Sequence, residues 1–181
     1  MEYLCKKTTI SIIRGDITQE DTLAIVNAAN TRLAGGGGVD GAIHRAAGPE
    51  LMAECRQIAG GCPTGRAVIT KGYNLRAAYV IHTAGPIYSG SADDPLLLAG
   101  CYRESLKLAA EYKLDSIAFP SISTGVYAYP LELAAPLALK AIAGYVRENP
   151  GDFSLIRMVL FDERALKAYE QSAALIFKGC D

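Results

Sequence analysis

Short apolar runs rich in β-branched residues alternate along this chain with segments whose apolar residues recur at helical spacing. That alternation constrains the fold more than any other feature. A strand, a helix and a second strand close most readily as a parallel pair with the helix packed across it. "TTISIIRG", "DTLAIVNAA", "GRAVITKGY", "AAYVIHTAGP", "DSIAFPSIS" and "SLIRMVLFD" read as strands. "VDGAIHRAAG" reads as a short helix stopped by Gly48, and "PELMAECRQIAG" as a second helix opened by Pro49. Leu98, Tyr102, Leu106 and Ala109 mark a helix between Asp94 and Lys113. "PLELAAPLALKAIAGYVREN" is a helix whose first turns are weakened by Pro136, and "ERALKAYEQSAALIF" is the last helix. Runs such as "IAF" and "MVLF" are apolar on both faces, as a sheet covered on both sides requires. The expectation is a single α/β domain over residues 1–181, with a largely parallel sheet between helical layers. Extra strands at the N-terminus would make the sheet mixed.

Composition removes several classes of function. With 181 residues and a formal net charge of -1, the chain has the size of one domain and no electrostatic case for nucleic acid as its main partner. "MEYLCKKTTISIIRGDIT" has no signal-peptide pattern, and no segment has the length of a membrane span, so the expected location is cytoplasmic. The cysteines at 5, 55, 62, 101 and 180 form no C-x-x-C, and their odd count and spacing suggest reduced, buried thiols rather than a disulfide framework. His44 and His82 belong to no metal-ligand spacing, so no metal and no cofactor is expected.

The chemistry lies in the loops. Ligands of open α/β sheets bind at the carboxyl ends of the strands. There stand "RGDIT", "NAANTRLAGGGGVDG", "SISTGVYAYP" and "FDE". Four consecutive glycines, Gly35 to Gly38, bring backbone amides close to an oxyanion, and the helix that follows adds its own N-terminal amides. "STGV" offers a second small-residue loop, so two facing loops suit a diphosphate. The run is no P-loop, because Val39 and Asp40 stand where lysine and a hydroxyl residue are needed. It is no G-x-G-x-x-G dinucleotide fingerprint either.

"GDIT", "VNAAN", "GGGGVDGAIHRAAGP", "CPTGRAVIT", "VIHTAGP" and "AFPSISTGVYAYP" occur in this order. Together they resemble a macrodomain of the MacroD-type subgroup, which includes bacterial O-acetyl-ADP-ribose deacetylases. The resemblance implies a three-layer α/β/α sandwich with a central mixed sheet that binds ADP-ribose. It implies that Asp16 accepts a hydrogen bond from the adenine amino group, with Ile17 beside the ring and Phe161 stacked on it. Asn30 would hold the distal ribose hydroxyls, and Tyr127 would pack against that ribose. Gly36, Gly37, Gly38 and Val39 would form the first phosphate loop, with a positive φ possible at Gly37, and Ser123, Thr124, Gly125 and Val126 the second. Asp40 of "GVDG" matches the family's acidic residue tied to hydrolysis, and would take that role here. Tyr88 departs from the tryptophan that relatives often carry.

From position alone, Asp40 is also a helix N-terminal carboxylate, Asp16 an N-cap and Asn30 a turn residue. Asn27 reads as an amide tying its own loop. His44, one turn after Asp40, reads as a local polar contact or a base, and His82 as a buried, hydrogen-bonded strand residue. The implied activity is hydrolysis of O-acetyl-ADP-ribose, and of ADP-ribosyl esters on acidic side chains of modified proteins. Either Asp40 or a substrate phosphate would activate the water, and no covalent nucleophile is expected. The alternative is a non-catalytic ADP-ribose reader; binding of RNA or poly-ADP-ribose ends is the third reading.

Overall fold

The computed structural model describes residues 1–180. Seven strands form one sheet: β1 (Glu2–Cys5), β2 (Thr8–Arg14), β3 (Ala24–Ala29), β4 (Ala67–Lys71), β5 (Tyr79–Ala84), β6 (Ser116–Phe119) and β7 (Leu155–Leu160). Five helices connect them: α1 (Gly38–Ala47), α2 (Pro49–Cys55), α3 (Asp94–Glu111), α4 (Leu131–Glu148) and α5 (Glu163–Ile176). The strand order is β1-β2-β7-β6-β3-β5-β4. The five inner strands run parallel, and β1 and β4 close the two edges antiparallel. The sheet is therefore mixed and largely parallel, as the alternating sequence requires.

Each buried strand divides its side chains between two cores, as the two-residue period of a strand dictates. Ala24 and Val26 of β3 point toward α3, α4 and α5, together with Ile117 and Phe119 of β6 and Ile156 and Met158 of β7. Ile25 of β3 and Ala118 of β6 point the other way, into a smaller core with Ile43 and Ala47 of α1 and Leu51 and Cys55 of α2. The result is three layers, α1 and α2 on one face and α3 to α5 on the other.

Three local features differ from the sequence expectation. Helix α4 runs unbroken through Pro136. The carbonyl that proline leaves free belongs to Glu132, an exposed residue of the first turn open to solvent, so the missing bond costs little there. Helix α2 stops at Cys55 instead of continuing toward Gly60, because the chain turns back so that Cys62 N–H bonds the Thr31 carbonyl at 2.9 Å. Gly61, at φ +63°, passes so close to that carbonyl that a Cβ would collide with it. The expectation of five reduced cysteines also fails. Cys5 and Cys180 form a disulfide across a separation of 175 residues, while Cys55, Cys62 and Cys101 are free and buried. Linear spacing carries no trace of a bridge between two segments that meet only after folding.

Replacing Ile25, fully buried beneath α1 and α2, with alanine is expected to cost about 2–5 kcal/mol by loss of transfer energy and creation of a cavity. Leu175→Ala, at a side chain 81% exposed, should change stability by less than about 0.5 kcal/mol. Urea denaturation of the two variants beside the wild type checks both.

Candidate functional site

Because the five inner strands are parallel, their carboxyl ends lie along one edge of the sheet. The four loops singled out in the sequence all leave from this edge. In sheet order they follow β2 (Gly15–Thr18), β7 (Phe161 and Asp162), β6 (Pro120–Pro130) and β3 (Asn30–Gly37).

Asp16 caps a single 3-10 turn, Ile17–Gln19, and its Oδ1 accepts from Thr18 N at 2.9 Å and Thr18 Oγ1 at 2.7 Å. The cap turns the chain so that Asp16 itself stays exposed while Ile17 is buried beneath it. On the adjacent strand Phe161 is 82% exposed. A large aromatic at a strand end reads as core from sequence; here it lies open to solvent beside Asp16's strand.

The glycine run turns the chain from β3 into α1. Gly35 and Gly38 occupy the left-handed region at φ +77° and +57°, where glycine carries little strain. Gly37, where a positive φ was a possibility, instead has φ −92° and ample space around its Cα. No side chain caps α1, so its first N–H groups are left for an anion. The loop's shape is held by Asn30, whose Nδ2 donates to Gly35 O at 2.8 Å and whose Oδ1 accepts from Ala34 N at 3.1 Å. One residue the sequence reading missed sets the depth of the loop. A Cβ at Gly41 would stand 2.5 Å from Gly36 O. The signal was a glycine inside a helix, which costs stability relative to alanine and marks a close approach.

The second loop is as tightly made. Ser123 lies at φ +66°, buried, with no hydrogen-bond partner for its Oγ. Thr124 Oγ1 donates to Ser121 Oγ at 2.8 Å. Gly125 and Val126 form the exposed tip, with Val126 98% exposed. Tyr127 is half-buried behind them and accepts Tyr88 N–H on its carbonyl at 2.9 Å. Gly85, after β5, is the other residue missed: a Cβ there would overlap Ser123 Oγ.

Asp40 sits in the first turn of α1 and is buried. Its Oδ1 accepts from Asn27 Nδ2 at 2.7 Å and lies 3.3 Å from His44 Nε2. Its Oδ2 faces the glycine loop, 3.5 Å from where a Gly36 side chain would begin. His44 is thus a local polar partner of Asp40, one turn along the same helix face. Asn27 does not tie its own loop; it reaches across to α1. The same nitrogen lies 3.1 Å from His82 Nδ1, and His82 Nε2 lies 2.9 Å from Thr70 Oγ1. Burial, and then the neighbouring His44, hold His82 down at a pKa of about 3. Cys55 approaches the same ring, Sγ 3.8 Å from Nε2, yet burial and then the Asp40 charge push its thiol up to about 11. A buried thiol with that pKa is no nucleophile at neutral pH. Among the described residues no group of three or more His, Cys, Asp or Glu side chains is placed to hold a metal ion, and no helix is long and apolar enough to cross a membrane.

The buried neutral imidazole makes stability depend on pH with a definite sign. Between an unfolded pKa of 6.5 and a native one of about 3, the unfolded chain binds a proton that the native state refuses. Stability falls as pH falls through that window. The stability advantage of wild type over His82→Gln should shrink by about 1.5 kcal/mol between pH 6.5 and 5. Paired urea titrations at the two pH values measure it.

Comparison with known proteins agrees with this geometry. A family model described as Macro domain matches residues 26–138. The chain is 51% identical over 170 residues to ADP-ribose glycohydrolase MACROD2 of Xenopus laevis, covering 93% of this chain and 40% of that protein. It superposes on the Oceanobacillus iheyensis macrodomain solved with ADP at a TM-score of 0.93 and 47% identity, covering 97% of this chain and 95% of that one. It superposes on the Trypanosoma brucei macrodomain solved with ADP-ribose at a TM-score of 0.85 and 47% identity, covering 90% of this chain and 68% of that one. On sequence, fold and loop arrangement together, the chain belongs to the Macro domain family.

Proposed function

We propose that the cleft binds ADP-ribose and hydrolyses esters on its distal ribose, removing acetate from O-acetyl-ADP-ribose and ADP-ribose from modified acidic side chains. The observation that carries this reading is the order of chemistries along the sheet edge. Asp16, Ile17 and the exposed ring of Phe161 follow the neighbouring strands β2 and β7 and suit an adenine: a hydrogen-bond acceptor beside an apolar face. Next come the Ser123–Val126 loop after β6 and the Gly36–Val39 loop after β3, both rich in amides and poor in side chains, which suits a diphosphate. Asn30 opens the loop after β3 and Asp40 stands in the first turn of the helix that follows it, while Tyr127, in the loop after β6, is tied to Tyr88 after β5. In our reading the loops after β2 and β7 take the adenine, those after β6 and β3 the diphosphate, and Asn30, Asp40 and Tyr127 the distal ribose. Relatives support the same ligand, since the Trypanosoma brucei macrodomain was solved with ADP-ribose and the Xenopus laevis protein is named an ADP-ribose glycohydrolase.

In the mechanism we assign, Asp40 Oδ1 is committed to Asn27 and His44, and Oδ2 receives a proton from a water beside the distal ribose. The water oxygen attacks the acyl carbon, the bond from that carbon to the ribose oxygen breaks, and the ribose oxygen leaves as an alcohol by taking the proton from Asp40 Oδ2, which restores the carboxylate. A base in this role contributes about 10²–10⁴-fold. No acyl-enzyme is formed.

Two measurements test the reading. By calorimetry, ADP-ribose should bind at least about tenfold tighter than AMP, which lacks the second phosphate and distal ribose. Asp40→Ala should lower deacetylation of O-acetyl-ADP-ribose about 10²–10⁴-fold while ADP-ribose affinity stays within about threefold, because a group acting on the transition state leaves ground-state binding largely intact. A wild-type protein that binds ADP-ribose but hydrolyses neither O-acetyl-ADP-ribose nor an ADP-ribosyl-glutamate ester is a reader.

A further inference from the structure

We infer that Thr70 and His82 are positioning residues for Asp40, acting through the side-chain amide of Asn27. The inference rests on the hydrolase reading for its kinetic consequence, but the arrangement itself is independent of it. Four groups line up across three adjacent strands and onto a helix. Thr70 lies on β4, His82 on β5, Asn27 on β3 and Asp40 on α1. Asn27 and His82 are direct partners in the β3–β5 register. Thr70 stands two residues beyond Val68, the partner of His82 in the β4–β5 register, so the three strand residues share one face. All three are buried, with Asn27 and His82 fully so.

The hydrogen bonds have only one consistent direction. Asn27 Nδ2 donates to Asp40 Oδ1 and turns a hydrogen to His82 Nδ1, so the imidazole carries its own hydrogen on Nε2 and gives it to Thr70 Oγ1 at 2.9 Å, whose hydroxyl hydrogen goes to Lys71 O at 3.2 Å. Nδ1 is then an acceptor and takes one hydrogen of Asn27 Nδ2 at 3.1 Å. The second hydrogen of the same nitrogen goes to Asp40 Oδ1 at 2.7 Å. Reversing the amide would set Asn27 Oδ1 against the Asp40 carboxylate. In the observed orientation that Oδ1 has no hydrogen-bond partner at all. The amide is therefore held entirely through its nitrogen, by Asp40 on one side and the imidazole lone pair on the other. Without the lone pair, nothing in the core restrains it except the carboxylate it is meant to place.

The consequence for Asp40 is geometric. The relay fixes Oδ1 inward and leaves Oδ2 toward the glycine loop. Thr70 lies on the edge strand β4, beyond β5 from β3, and β4 supplies none of the four loops, so its effect on the reaction runs through the relay. Valine at this position keeps the shape and removes the acceptor. Nε2–H then keeps only the weak contact with Cys55 Sγ at 3.8 Å, Nδ1–H becomes the competing tautomer, and that hydrogen faces the amide hydrogens of Asn27. Serine restores the hydroxyl.

The experiment compares Thr70→Val and Thr70→Ser by hydrolysis of O-acetyl-ADP-ribose, ADP-ribose calorimetry and 15N NMR of the imidazoles. Thr70→Val should lower kcat at least about tenfold with the Kd for ADP-ribose within about twofold, and Thr70→Ser should stay within about threefold of wild type in both. The spectra should show His82 protonated on Nε2 in the wild type and in Thr70→Ser, and losing that pure signature in Thr70→Val. Wild-type kcat in Thr70→Val overturns the inference. So does an equal loss in Thr70→Ser, or a Kd that rises as far as kcat falls, which marks general disruption. If the wild type hydrolyses neither ester, the hydrolase reading fails by itself. The relay is then judged by the spectra, where an Nδ1–H tautomer in the wild type overturns it and the Nε2–H form, lost only in Thr70→Val, supports it.

Discussion

Parallel strands deliver every carboxyl end to the same edge of the sheet, and the cleft exists because of that constraint. Each inner strand must be followed by a return across one face, so the loops that begin these returns stand side by side in the spatial order of the strands. Residues that are remote in sequence, Asp16, Asn30, Ser123 and Phe161, become neighbours along this edge without any dedicated contact between them. The two cores hold the sheet rigid beneath the loops, with Phe119, Ile156 and Met158 against one helical layer and Ile25 and Ile43 against the other. The loops themselves need few side chains. Where the backbone is to meet an anion, glycine and serine leave its amides open, and an uncapped helix start supplies more.

The arrangement contains a conflict. Under the proposed function, loops that would take a diphosphate stand beside a carboxylate, Asp40, in the first turn of the following helix. Helix dipole and free amides favour the carboxylate locally, but they are the groups that an incoming phosphate needs. The fold separates the two by depth. Asp40 is buried and spends one oxygen on a donor drawn from the sheet, while the loop amides stay at the surface. The cost is placed in the core, where a fully buried histidine is kept neutral and an amide oxygen goes without a partner. Such local expenses are tolerable in a chain with large apolar cores on both sides of the sheet.

Most of the architecture was legible in the sequence because its causes are local. Alternating β-branched runs, helical spacing and terminal glycines or prolines identify strands and helices, and the strand–helix alternation implies parallel pairing. Helix α2 was overextended because its end is set by a tertiary contact between Gly61 and the Thr31 carbonyl. Helix α4 survived Pro136 because the lost bond falls in a solvated first turn. The Cys5–Cys180 bridge left no sequence signal, since it joins residues brought together only by the finished fold. In the cleft, the loops were recognisable by composition, but the division of labour between two asparagines was not. Asn30 ties the loop that Asn27 was expected to tie, and Asn27 meets Asp40. Which amide faces a neighbouring helix depends on the parity of a strand and the placement of α1, neither of which a motif contains. Gly85 was similarly silent, because what it makes room for, Ser123, lies elsewhere in the chain.

The close passage of Gly85 beneath Ser123 links two loops that belong to different crossovers. With Tyr88 N–H also bonded to the Tyr127 carbonyl, the segment after β5 and the segment after β6 are joined at two points. Neither can be remodelled alone. A Cβ at position 85 would run into Ile122 as well as Ser123, so bulk there would displace the start of the second loop together with its own, and trimming Ser123 alone would not make room.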